Sequence, residues 1–178
     1  MREILSSIEG EWRRYKVLAE RALEQTRDEE LTTITSEGSN SIAVIVTHIS
    51  GNLKSRFTDF LTADGEKPWR DRDAEFEPRS DVTRQELFER WADGWKTLFI
   101  ELEPLTDLDL KRTVTIRGEK FLVHETLLRL LAHTSYHVGQ IIQLAKAFRG
   151  NDWNSLSIPP GKSRDYNRNP RGQRPPER

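Results

Sequence analysis

The chain has 178 residues, 35% of them hydrophobic and 32% charged, with a formal net charge of -1 and no cysteine. That length suits one domain with a sizeable core. The balanced charge gives no electrostatic case for nucleic-acid binding, and the missing cysteine excludes disulfides, thiolate metal ligands and a cysteine nucleophile.

The chain opens with "MREILSSIEGEWRRYKVLAERALEQ", which is amphipathic and studded with charge, unlike the apolar core of a signal peptide. Ile4, Leu5, Ile8, Trp12, Tyr15, Leu18, Ala19, Ala22 and Leu23 recur at spacings of three and four and predict one helical face. No apolar run approaches the length that crosses a bilayer, so a cytoplasmic protein with no membrane partner is expected.

A second helix is predicted in "NSIAVIVTHISGNLKSRFTDFL", with Ile42, Ile45, Val46, Ile49, Leu53, Phe57 and Phe60 inward. Its β-branched start resembles a buried strand, but the length of the pattern favours helix. The following "TADGEKPWRDRDAEFEPRSD" is long for a helix connection and highly charged, a feature of functional or disordered loops. Thr83 and Glu86 have capping-box spacing and predict the start of a third helix through Leu87, Phe88, Trp91, Trp95, Leu98 and Leu102, with Pro104 beyond its end. "RTVTIRGEKFLV" alternates around Gly118 and predicts a short hairpin leaning on one end of the helices. A fourth helix runs from about Val123 to Phe148 and stops at Gly150.

These elements predict an all-α fold, a four-helix bundle with a short β-hairpin before the last helix. The bundle domain is expected over residues 1–158, followed by a basic, proline-rich extension over 159–178 whose last ten residues read as flexible.

The chemistry concentrates in "LAHTSYHVGQII". His133 and His137 are four residues apart, on one helical face and about 6 Å apart along the axis, as in helical zinc sites. Two edge residues bonded to water or a neighbouring helix would show the same spacing. Both lie beside the apolar stripe, however, and burying two unpaired imidazoles is costly unless something coordinates them. His48 lies at the matching margin of the second helix. Three histidines from two helices with a position left open is a catalytic type of metal arrangement. His124 is nine residues from His133, on the opposite side of the helix, and is excluded.

"THISGNLKSRFTDFLTADGEKPWRDRDAEF", "LLRLLAHTSYHVGQIIQLAK" and "WNSLSIPPGKSRDYN" together resemble the DinB/YfiT-like superfamily over about residues 1–167, nearest to its small uncharacterised bacterial branch. The order of one histidine on the second helix and His-x-x-x-His-x-Gly-Gln on the last carries the resemblance. It implies a DinB-like four-helix bundle, a divalent metal (zinc or nickel) held by His48, His133 and His137, and a homodimer. Some relatives in that superfamily are bacillithiol-type thiol S-transferases or thiol-dependent isomerases.

Asn52 and Gln140, one turn from His48 and three residues from His137, are candidates to orient an imidazole or hold a water. Packing between helices and plain surface exposure are equally open for them. Asp59 and Glu75 are possible acid/base groups, with a solvated role favoured. Arg56, Arg70 and Arg72 could line an anion-binding lip, but neutralisation by Asp71, Asp73 and Glu75 is favoured. Gly139 is expected to allow close helix packing. Trp12, Trp91 and Trp95 have core spacing, leaving Trp69 and Trp153 to line an entrance.

The leading functional expectation is a metal-dependent transferase that activates a low-molecular-weight thiol toward an electrophile. Three neutral ligands leave the ion's charge uncompensated, and a chain without cysteine must take its sulfur from the substrate. A metal-dependent hydrolase ranks lower, because no glutamate follows a ligand histidine as in His-Glu-x-x-His. A non-catalytic, stress-related metal-binding dimer is the alternative from another class. Catalytic residues beyond the metal ligands are not identified by the sequence.

Overall fold

The computed structural model describes residues 1–170 and is mostly helical. Four long helices dominate: α1 (Glu3–Leu23), α3 (Ile42–Phe57), α4 (Arg84–Leu102) and α5 (Val123–Arg149). Helix α3 packs on α4 and α5, while α1 packs on α5 and α4. Two short helices were not foreseen, α2 (Asp28–Leu31) and α6 (Ser163–Arg168). Helix α6 lies within the extension expected over 159–178, whose residues 171–178 fall outside the described part. Among the described residues no helix is long and apolar enough to cross a membrane.

Aromatic packing fills the centre. Trp12 of α1 meets Phe57 of α3 and Trp95 of α4 edge-on, with ring centroids 5.9 and 5.8 Å apart, and Trp91 lies 5.3 Å from Trp95. All three indoles are essentially inaccessible to solvent, as their spacing predicted. The α1 face is narrower than predicted at its start, where Ile4 is largely exposed. Along α3 nearly every residue is buried, because α4, α5 and a 3-10 turn at Ala74–Phe76 all cover it. That all-round burial explains why its sequence also resembles a strand. Gly94 lets α4 approach α3 closely, since a Cβ there would lie 2.9 Å from the Ser50 carbonyl oxygen.

Thr83 caps α4 as predicted, its Oγ1 accepting the Glu86 amide at 3.1 Å. The reciprocal half of the box is absent; the Glu86 carboxylate is taken by Arg79 and Arg90 instead. The hairpin is present, with β1 (Thr113–Ile116) antiparallel to β2 (Glu119–Leu122) and Ile116 opposite Glu119. Its two turn residues, Arg117 and Gly118, both have positive φ, the geometry of a tight hairpin turn. The Asp64 carboxylate holds this turn, accepting the amides of Arg117 and Gly118 at 2.8 Å and that of Glu66 at 2.7 Å. The long charged loop is thereby pinned to the hairpin, which also touches α5.

Candidate metal centre

His48 lies in the middle of α3, and His133 and His137 lie one turn apart on α5, where the two helices pack together. His48 and His137 are buried and His133 is half-buried. The Nε2 atoms of His48 and His133 are 3.2 Å apart, and the rings of His137 and the other two have centroids 4.9 and 4.7 Å apart. One ligand atom from each of the three lies within 4.8 Å of the others. The helix periodicity that placed His133 and His137 on one face, and His48 on the facing margin, thus brings together the three residues it singled out.

Two of the imidazoles are held from behind. Nδ1 of His48 lies 2.9 Å from Oε2 of Glu75, and Nδ1 of His137 lies 2.8 Å from Oε1 of Gln140. Both partners act as acceptors, so each Nδ1 carries a proton and Nε2 is the ring nitrogen left for the cluster. Arg70 clamps the same carboxylate from the other side, with Nε 2.7 Å from Oε1 and Nη2 2.8 Å from Oε2 of Glu75. Phe76 lies against the His48 ring at 4.6 Å between centroids. The 3-10 turn therefore delivers a hydrogen bond and an aromatic wall to His48.

Glu75 is buried, which corrects the solvated role expected for it. Its placement depends on Gly51, three residues after His48. A Cβ at that position would lie 2.8 Å from Cδ of Glu75 and would collide with Oε1. This glycine, on the same helical face as His48, is the signal in the sequence that could have pointed to a group approaching His48.

The protonation states follow from the surroundings. Desolvation pushes the His133 pKa down to about 4, aided by the nearby imidazoles and by the charges of Arg70 and Arg56. Burial also lowers the His137 pKa, against the opposing effect of the hydrogen bond that its ring donates to Gln140. For Glu75, burial acts to raise the pKa, but the Arg70 clamp and the His48 bond outweigh it and keep the carboxyl ionised.

These residues fit a metal ion. With bonds of about 2.0–2.1 Å, two nitrogens on a tetrahedral ion stand roughly 3.3 Å apart, close to the observed separation of His48 and His133. Two imidazole nitrogens so close require a proton or a cation between them. Among the described residues Nε2 of His137 is buried without a hydrogen-bond partner, an orphan that a cation would satisfy. Neutral, lone-pair-bearing imidazoles are the form that coordinates. The three side chains could hold one metal ion.

The remaining candidates divide. Gln140 orients His137 even though it is itself exposed. No hydrogen bond joins Asn52 to an imidazole among the described residues; its Oδ1 is buried without a partner. Arg70 pairs with Glu75 and Arg72 with Asp73 at 3.7 Å, as favoured, whereas Arg56 pairs with Glu66 at 3.0 Å. Asp71 accepts the Ala74 amide rather than neutralising an arginine. Asp59 is exposed, with the solvated role expected of it. Gly139 has nothing within 4 Å of where a Cβ would stand, so it serves no close packing, contrary to expectation. His124 binds the Leu110 carbonyl oxygen at 2.9 Å at the start of α5, apart from the cluster. Trp69 is exposed beside Arg70 and Arg72, while Trp153 packs against the core instead of lining an entrance.

A family model described as "Protein of unknown function (DUF1572)" matches residues 1–162. No curated protein and no solved structure matches the chain.

Proposed function

The chain belongs to the DUF1572 family, within the DinB/YfiT-like superfamily, and from that premise we propose that it is a metal-dependent transferase acting on a low-molecular-weight thiol. In this reading α1, α3, α4 and α5 form a DinB-type four-helix bundle, and zinc or nickel is the ion. His48, His133 and His137 hold it, leaving at least one position for an outside ligand. The observation that carries the reading is the convergence of three imidazoles, two of them locked by Glu75 and Gln140 so that Nε2 faces inward.

When bound, the ion supplies uncompensated positive charge that favours a thiolate over a thiol. The chain's own residues prepare the site. Glu75 and Gln140 fix ring orientation, the Arg70 clamp fixes Glu75, and Phe76 shields His48 from water. The substrate thiol gives its proton to solvent. Its sulfur then forms a bond to an electrophilic carbon, whose leaving group departs with the bonding electron pair. Neither ligand histidine of α5 is followed by a glutamate positioned as a base for water, which is why a thiol is preferred to hydroxide. Two copies of the chain, by resemblance to DinB-type proteins, form the functional unit in the cytoplasm.

The test is direct. Cobalt-substituted protein develops sulfur-to-metal charge-transfer absorption when a small thiol is added, and a thiol panel with an electrophile gives turnover that stops in the metal-stripped protein. If the metal-loaded protein shows neither binding nor turnover across the panel, the transferase reading gives way to a non-catalytic metal-binding protein.

A further inference from the structure

A cavity of about 390 Å³ opens beside the three histidines, bounded by His48 and His133 on one side and by the hairpin on the other. Its walls carry five guanidinium groups, those of Arg56, Arg70, Arg72, Arg117 and Arg129, against a single lining carboxylate, Glu119. The partners of these arginines do not use up their donors. Arg56 and Arg117 share the Glu66 carboxylate, at 3.0 and 2.8 Å, and Arg56 also donates to the Gly65 carbonyl oxygen. Arg72 reaches Asp73 only at 3.7 Å and lies over the Phe76 ring. Arg129 has no carboxylate within ion-pair distance among the described residues and lies over Phe121. Arg70 is the most telling: its side chain is 2% exposed, and Nη1 is buried with no acceptor among the described residues, although the other two nitrogens hold Glu75.

A buried guanidinium donor without an acceptor is costly, and the ligand that best relieves it is an oxyanion, whose oxygens match the planar fork. We infer that this cavity is an oxyanion-binding pocket that receives the carboxylate or phosphate group of a small molecule. Ile116, Phe121 and Leu130 give it apolar surface on which a short neutral body can lie. The volume falls at the small end of ligand sites, suited to a metabolite rather than a polymer. That the same molecule presents its reacting group to the histidines rests on the transferase reading above; that the cavity binds an oxyanion does not.

The two are separable by titration calorimetry of the full chain with inorganic phosphate, succinate and the uncharged dimethyl succinate, in metal-loaded and chelator-stripped forms. Phosphate or succinate binds in both forms and dimethyl succinate does not; the tighter of the two anions identifies the head group. Arg129→Gln, which removes no ion pair and keeps the Arg70 clamp, weakens anion binding about tenfold or more. His133→Ala loses the metal yet retains anion binding in the stripped form. Absence of binding by both anions at about 10 mM overturns the inference while leaving the metal centre intact. Binding that needs the ion and ignores Arg129→Gln also overturns it, because the anion is then only a ligand of the ion. A protein that binds no metal but binds anions in an Arg129-dependent way sinks the transferase reading and leaves the pocket standing.

Discussion

Oε2 of Glu75 stands 2.9 Å from Nδ1 of His48, although 27 positions and the most charged loop of the chain separate them. The contact turns a connection between helices into part of the histidine site. Three features make it possible: Gly51 clears the space, the 3-10 turn aims the carboxylate, and Arg70 neutralises it. With side chains 2% and 8% exposed, the Arg70–Glu75 pair is one whose members cannot be removed singly without leaving a buried charge.

Glu75→Ala is expected to weaken metal binding by about 10–100-fold, the usual effect of losing a group that orients a ligand histidine. It also destabilises the fold by roughly 3–5 kcal/mol, because Arg70 is left buried and unpaired. Chelator competition measures the first effect and urea unfolding the second. Unchanged metal affinity in a folded Glu75→Ala protein would remove Glu75 from the site.

A pair of glycine substitutions separates local crowding from a general helix effect. Gly51→Ala inserts a Cβ into the Glu75 carboxylate and lowers metal affinity even though alanine is the better helix former. Gly139→Ala meets nothing within 4 Å and stabilises the chain by about 0.5–1 kcal/mol with metal binding unchanged. Thermal melts and chelator competition on both variants check this. Equal behaviour of the two would contradict the packing of the 3-10 turn on α3.

The stability of the metal-free chain depends on pH in a defined direction. Unfolded His133 takes up a proton near its ordinary value of 6.5, whereas in the fold it does so only near 4. The unfolded chain therefore binds more protons in that window, and stability rises from about pH 4 to about 6.5. The lowered Glu75 pKa acts in the same direction at more acid pH. Urea unfolding of chelator-treated protein should show this slope, and His133→Gln should flatten it. A slope of opposite sign would mean that His133 is charged in the fold. If an ion is held there, protons are expected to displace it from His133 nearer pH 4 than the value of about 6 expected of an ordinary imidazole.

Much of this was legible in the sequence. Period-3.6 patterning located all four long helices, Gly118 located the hairpin turn, and the spacing of His133 and His137 located two members of the histidine cluster. What stayed hidden has a common physical cause. Glu75 and Phe76 reach His48 through irregular backbone, which has no periodicity to project onto a face, so a solvated role was favoured for Glu75. Asn52 makes no hydrogen bond to an imidazole among the described residues, and it lines the adjoining cavity. The short helices α2 and α6 span only four and six residues, too few to show an amphipathic pattern.

Metal content is the most direct test of the central claim that His48, His133 and His137 form one metal centre. Elemental analysis of the purified chain should find close to one divalent ion per chain. The ion should be lost in His48→Ala, His133→Ala and His137→Ala and kept in His124→Ala, whose ring binds the Leu110 carbonyl away from the cluster. A wild-type chain that takes up no divalent metal, or full occupancy in folded His133→Ala, would contradict the account.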